Sequence, residues 1–392
     1  MGRERGPVWV LLGLAPLLGL GVLLAAIVLN GAGIDREDRP PVEDLTIDRV
    51  SLPTPDEIVV SVTNGGPEPV TVSQVTVNEA LWDFRAEPDT KIPPLGSAEI
   101  TLPYSWVEGE AYGITLITAT GTTFSAEVPA AVITPTFSAE TFWRYALIGT
   151  YVGVIPVALG LLWYPFLRRL GSAGIGAVLA LTLGLLVWLV VDTLLEAVEV
   201  AGRLPGVFSG VPLVLVAALL ALLGLLGAER LFRSRGETTG RLSTSYRIAL
   251  GIGLHNLGEG LAIGAAFALG EAALGTFLVV GFTLHNITEG VGIAAPILEE
   301  RPRLAHFAGL ALLGGGPAVL GTWIGGFAYS NLASAVLLAV GAGAILQVIY
   351  EVTRLLLNDS ARSKTPALSA PNLGGFTAGV AIMYATALLV SV

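Results

Sequence analysis

The chain has 392 residues, 53% of them hydrophobic and 13% charged, with a formal net charge of −10 and a mean hydropathy of +0.74. Soluble globular domains carry about 25% charged residues, so this composition excludes an ordinary soluble domain and marks a polytopic α-helical membrane protein. The acidic balance argues against nucleic acid as a partner. Cysteine is absent, which excludes disulfides, thiolate metal ligation and a cysteine nucleophile.

Apolar runs of about 20 residues, enough to cross a hydrocarbon core of roughly 30 Å, lie at 8–30, 144–166, 173–199, 207–232, 246–269, 273–297, 304–327, 332–355 and 373–391. One isolated span is followed by eight clustered ones. Residues 1–34 read as an N-terminal membrane anchor. A cleaved signal segment is the alternative, given the basic start at Arg3 and Arg5 and the small-residue exit near Asn30–Gly31–Ala32. After the charged, proline-bearing linker Asp35–Pro41, the texture becomes β-rich: an alternating run at 57–63, the turn Asn64–Gly65–Gly66–Pro67, then another run at 70–77. Spacing of this kind predicts about five to eight short strands in an immunoglobulin-like β-sandwich, within an extracytoplasmic domain at 35–141. That domain holds no histidine and shows no catalytic grouping; it reads as a structural or partner-contacting module whose partner the sequence does not name, with Glu108 and Glu110 as solvated surface.

Arginine marks cytoplasmic loops. Here Arg3 and Arg5 precede the first span, Arg168 and Arg169 follow the second, and Arg230, Arg233, Arg235, Arg241 and Arg247 follow the fourth. Arg301 and Arg303 follow the sixth, and Arg354, Arg362 and Lys364 follow the eighth. Every second connection is basic, which places an uncleaved N-terminus inside and the C-terminus outside. The polar stretch 229–247 is expected to be a flexible cytoplasmic connection. Sparse Lys with abundant Ala, Gly, Leu and Arg points to a prokaryote and hence to a plasma membrane.

Two of the three histidines begin duplicate motifs inside apolar spans. Residues 255–260 read HNLGEG and residues 285–290 read HNITEG. On a helix, positions i and i+4 share a face, so His255 with Glu259, and His285 with Glu289, each present an imidazole and a carboxylate on one stripe, with Asn256 and Asn286 alongside. At ~1.5 Å rise per residue the two histidines lie about 14 and 18 Å into spans that run in opposite directions, so both motifs arrive near mid-membrane. Charge there costs a few kcal/mol, and no Lys or Arg neighbours either motif in sequence. A divalent cation answers that cost: imidazole and carboxylate suit Zn²⁺, Fe²⁺ or Mn²⁺, and the missing thiols argue against Cu(I). Interhelical hydrogen bonding is the plainer alternative. Inverted ligand sets meeting at the midplane are the architecture of a transporter substrate site, and Gly260 and Gly290 allow neighbouring helices to approach closely.

These residues resemble the ZIP (Zrt/Irt-like) family of divalent metal-ion transporters, whose fourth and fifth core helices carry His-Asn-x-Pro-Glu-Gly or close variants. The resemblance covers an eight-span core at 142–392 and does not reach 1–141. It implies movement of metal, most often Zn²⁺, toward the cytoplasm, a site lined by His255, Asn256, Glu259, His285, Asn286 and Glu289 that holds one or two ions, and a homodimer as an assembly common in the family. Two departures stand out. The family's proline is Gly258 in one copy and Thr288 in the other, so a distortion there must come from glycine flexibility or threonine back-bonding. The sixth core helix, where many members carry Glu before Pro, reads Gly314–Gly315–Gly316–Pro317, which points to a single-metal site or to altered selectivity.

Further polar groups are candidate pathway residues. Asp192 and Glu196, with Glu199, sit toward the outer end of the second core helix as a candidate anionic vestibule or a solvated helix end. Gln347 and Glu351 occupy the inner part of the seventh, where Glu351 lines an exit or pairs with Arg354; His306 reads as interfacial. With no ATP-binding motif, transport would run down a metal gradient or be coupled to an ion. The other readings are a metal-binding membrane sensor or scaffold and, with no HExxH present, an intramembrane metallohydrolase.

Overall fold

The computed structural model describes residues 8–29, 42–234, 240–363 and 366–390. Arg3, Arg5, Asp35–Pro41, Arg235 and Lys364, which entered the topology and linker readings, lie outside the described residues. The chain forms two units, Met1–Val42 and Glu43–Val392. In the first, helix α1 (Val8–Leu29) has 22 residues, about 33 Å at 1.5 Å each, long enough for one span.

The second unit begins with strands β1 (Leu45–Thr54), β2 (Glu57–Asn64), β3 (Val70–Val77), β4 (Ala80–Trp82), β5 (Arg85–Glu87), β6 (Lys91–Ile92), β7 (Ser97–Leu102), β8 (Tyr112–Thr118) and β9 (Thr123–Val128). They pair antiparallel in the orders β1-β2-β7-β5 and β4-β3-β8-β9, with β6 also on β3, giving a β-sandwich-like domain. Alternation builds its core: Ile58, Val60 and Val62 of β2 are fully buried, as are Ile114 and Leu116 of β8, and they pack in one cluster with Val75 and Ile100. The nine strands exceed the expected five to eight because β4 to β6 have only two or three residues each, too few to show a period of two in the sequence.

The rest is helical: α2 (Ala139–Gly149), α3 (Ile155–Leu161), α4 (Tyr164–Leu167), α5 (Ser172–Ala201), α6 (Gly210–Ser234), α7 (Arg241–Ala268), α8 (Ala272–Ala294), α9 (Leu304–Gly315), α10 (Pro317–Phe327), α11 (Asn331–Ser363) and α12 (Ala370–Val390). Among the described residues, seven stretches of the helical region are long and apolar enough to cross a membrane, and the 21-residue α12, packed on α5 and α8, stands where the eighth was expected. Helices α6 and α7 extend into the polar 229–247 stretch, reaching Ser234 and beginning at Arg241. On the side away from it, the Gly206 amide of the α5–α6 loop donates to Asp44 Oδ2 at 3.3 Å, tying that side to the β-domain.

Two spans are interrupted. A π-helical turn at Thr150–Val154 leads from α2 into Pro156 of α3, and Gly316–Pro317 separates α9 from α10. Proline supplies no N–H and breaks the regular ladder, so carbonyls on its N-terminal side need other donors. Between these broken spans, α7 packs against α8, α9 and α10, while α3 packs against α8. Gly260 and Gly290 permit this: a Cβ added to them would lie 2.1 Å from Ala318 O and 2.3 Å from Val157 O.

Candidate metal site

Both hexapeptides fall inside unbroken helix, the first on α7 and the second on α8. Gly258 therefore does not break α7, and the Thr288 hydroxyl bonds back to His285 O at 2.5 Å without interrupting α8; the interruptions belong to the proline-bearing spans on either side. The six polar side chains His255, Asn256, Glu259, His285, Asn286 and Glu289 are each at most 5% exposed.

Glu259 is the hub. Its Oε1 lies 3.1 Å from His255 Nε2 on the same helix and 2.5 Å from His285 Nε2 across the interface. Ligand atoms of His255, Glu259 and His285 all fall within 4.8 Å of one another, a donor set of two imidazoles and a carboxylate that suits a first-row dication. Behind His255, Thr193 Oγ1 of α5 gives its proton to Leu189 O at 2.8 Å. Toward His255 Nδ1, 3.4 Å away, that hydroxyl can only accept. An Nδ1–H directed at that oxygen would leave Nε2, beside Glu259 Oε1, free to serve as a metal ligand.

The asparagines cross over. Asn286 Nδ2 donates to Glu259 Oε2 at 3.0 Å and Asn256 Nδ2 to Glu289 Oε2 at 3.2 Å, so each helix's amide steadies the other helix's carboxylate. Their second amide hydrogens go to the broken spans: Asn286 to Val152 O at 2.9 Å and Asn256 to Gly314 O at 3.0 Å. Val152 precedes Pro156 by four residues, the position whose carbonyl a proline leaves without its helical donor; Gly314 lies at the Gly316–Pro317 break. These donations fix both amide orientations, and the oxygens Asn256 Oδ1, Asn286 Oδ1 and Glu289 Oε1 are buried with no hydrogen-bond partner. Spans α9 and α10 contain no Asp or Glu between Leu304 and Phe327, so what they offer Asn256 is a backbone carbonyl instead of the expected carboxylate.

On the β-domain side, Asp192, Glu196 and Glu199 of α5 line a cavity of about 340 Å³ with Phe282 and His285 of α8 and Met383 of α12. Asp192 and Glu196 thus share a space with a site histidine. Gln347 and Glu351 are each 3% exposed and sit on the opposite, arginine-rich side, where Glu351 Oε2 lies 3.2 Å from Arg247 Nη2 of α7. His306 Nδ1 meets the Tyr246 hydroxyl at 3.0 Å. Sequence reading missed Thr193, Val152 and Gly314. Pro156 and Pro317 were the available signals for the two carbonyls; Thr193 carried none beyond its place beside Asp192.

Residues 233–387 match the family model described as ZIP zinc transporter. The match takes in both hexapeptides, α7 to α11 and most of α12. A search of curated proteins finds no match.

Proposed function

We propose that this membrane protein, whose residues 233–387 are ZIP zinc transporter sequence, carries Zn²⁺ toward the cytoplasm through a mid-membrane site formed by His255, Asn256, Glu259, His285, Asn286 and Glu289. The family match supports metal transport; the supporting observations for the site are the His255–Glu259–His285 triad and the unpartnered buried oxygens of Asn256, Asn286 and Glu289, side chains of the same two motifs. Buried acceptors without donors are costly, and a dication is the species that would satisfy carbonyl, carboxylate and imidazole together. Fe²⁺ and Mn²⁺ share this donor preference, so the arrangement favours a divalent ion as a class and Zn²⁺ by family. With Gly316 in place of a sixth-helix carboxylate, one ion occupies the site at a time.

The basic connections assign the arginine-rich side to the cytoplasm of a plasma membrane. Metal then approaches through the Asp192–Glu196 cavity, whose carboxylates concentrate cations, is coordinated between α7 and α8, and leaves on the arginine-rich side. In this reading 1–34 anchors the chain, 35–141 is the extracytoplasmic domain, and 142–392 is the transport core. Uptake into proteoliposomes tests it: zinc flux is expected to vanish in Glu259→Ala and fall in Glu289→Ala. Flux unchanged by both substitutions would overturn the site, and metal binding without flux would make the core a sensor.

A further inference from the structure

On the arginine-rich side, α7 and α11 close over the route a released ion would take. Arg247 lies eight residues before His255 on α7, about 12 Å along the axis. Its guanidinium meets Glu351 of α11, which is 3% exposed; a carboxylate so deeply buried needs a cation beside it. Between this pair and His255, the buried Ile248, Ile252, Ile345 and Val348 belong to one apolar cluster, and a Cβ on Gly251 would lie 2.4 Å from Val348 Cγ2, with Gln347 Oε1, 3.5 Å away, the polar side-chain atom at this contact. Arg241 adds a second tie, with Nη2 2.8 Å from Asp359 Oδ1 and 2.9 Å from Glu299 Oε2. Beyond the seal, Arg241, Arg247, Arg354 and Arg362 line a cavity of about 270 Å³ with Glu351 and Asp359. A cavity on the other side, by contrast, reaches a site histidine at His285.

We propose that Arg247 and Glu351 form the inner gate of the pathway: a tethered guanidinium holds the carboxylate that a departing metal ion needs as its next ligand, and the pair separates when the ion leaves. This inference rests on the transport reading and adds the device that keeps the path closed. Guanidinium stays charged throughout the physiological range, so Arg247 does not release its partner by losing a proton. With four arginines against Glu351 and Asp359, the cavity lining is net positive while the pair is intact, which disfavours a dication there. When α7 and α11 shift, Glu351 exchanges one cation for another and is never left as a bare buried charge. Gln347, one turn inward on the same face of α11, is placed to pass the ion between site and gate.

The absence of cysteine makes the gate directly readable. Gln347→Cys puts a single thiol just inside the pair, and its labelling by a charged, membrane-impermeant maleimide reports opening in the full reconstituted chain. Labelling is expected to be slow with the pair intact, to accelerate on the order of tenfold when Arg247→Ala or Glu351→Gln shifts the population toward the open form, and to slow again when Arg247→Glu and Glu351→Arg are combined. Unchanged labelling in both single disruptions would overturn the gate. So would fast labelling that the charge-reversed pair fails to slow, because that marks exposure through unfolding. Thiol labelling needs no metal movement, so a failed gate is distinguishable from a failed transport site, which is read separately as zinc uptake that survives Glu259→Ala.

Discussion

Three asparagines in this chain, Asn64 in the β-domain and Asn256 and Asn286 between α7 and α8, are all fully buried. They are used differently. Asn64 donates to Glu68 O at 2.8 Å and Ile92 O at 2.9 Å and accepts from the Gly66 amide at 2.9 Å. Both hydrogens and the oxygen of its amide have partners. Asn256 and Asn286 also spend both hydrogens, yet their oxygens have no partner. A satisfied amide locks a turn in place, whereas an amide that is rigidly held and left with a bare acceptor is prepared for something else to bind. The same contrast separates Glu43, which takes two threonine hydroxyls at 2.6 Å each, from Glu289, which has one asparagine donor and one unpartnered oxygen.

The largest expected effect comes from removing the hub of the unsatisfied region. Glu259→Ala takes away the oxygen that faces both histidines and the acceptor of Asn286. Losing even an outer-shell partner costs 10–100-fold in metal affinity, so loss of this proposed ligand is expected to weaken zinc binding by at least ~100-fold in calorimetry of the purified protein. If the affinity holds, the region is only a hydrogen-bonded helix interface and the contrast with Asn64 collapses.

Next in size is Asn64→Ala, which leaves Glu68 O, Ile92 O and the Gly66 amide without their buried partner. At about 1–3 kcal/mol for a stranded group, with part recovered by relaxation, the β-domain is expected to lose roughly 2 kcal/mol in denaturant unfolding while zinc affinity stays as in the parent chain. Glu289→Gln is smaller. The amide keeps an acceptor for Asn256 but removes a charge from the proposed site, and an affinity loss of about tenfold, or ~1.4 kcal/mol, is expected by the same calorimetry. An effect equal to that of Glu259→Ala would mean that the two carboxylates contribute equally, against the hub-and-satellite geometry.

The parts of this arrangement that could be read in advance were those carried by side-chain identity at helical spacing. HNLGEG and HNITEG announced their shared faces, and their depths in opposed spans placed them at one level; Glu259 and His285 do meet across the interface. The β-domain was legible from alternation in β2 and β3, and illegible in β4 to β6, where two or three residues cannot display a period. Val152 O and Gly314 O escaped notice because a backbone carbonyl has no letter in a sequence; only the prolines nearby hinted that donors would be missing. The pairing of Arg247 with Glu351 joins helices 104 residues apart, and nothing local to either residue says which cation and which carboxylate will face each other.

The smallest predicted effect lies on the satisfied side of the comparison and tests whether satisfaction itself has a pH signature. Burial pushes the Glu43 carboxyl up, but the hydroxyls of Thr118, Thr120 and Thr122 outweigh it and hold the group below its usual value of 4.5. A carboxylate depressed in the fold contributes stability that is present above its unfolded pKa and is lost as pH falls through its folded one. Thr118→Val removes one of these donors, so its destabilisation of the β-domain is expected to be visible in melting at neutral pH and to fade as pH drops below about 4.5. Asp48 runs the other way: burial raises its pKa, with only the Thr63 hydroxyl opposing. Its protonated form is favoured by folding, and that contribution disappears as pH rises through the raised value. Because Thr118→Val leaves Asp48 untouched, the difference between variant and parent isolates Glu43. A difference that stays constant from pH 7 to pH 3 would assign the threonine a packing role and leave the carboxylate's hydroxyl partners without energetic weight.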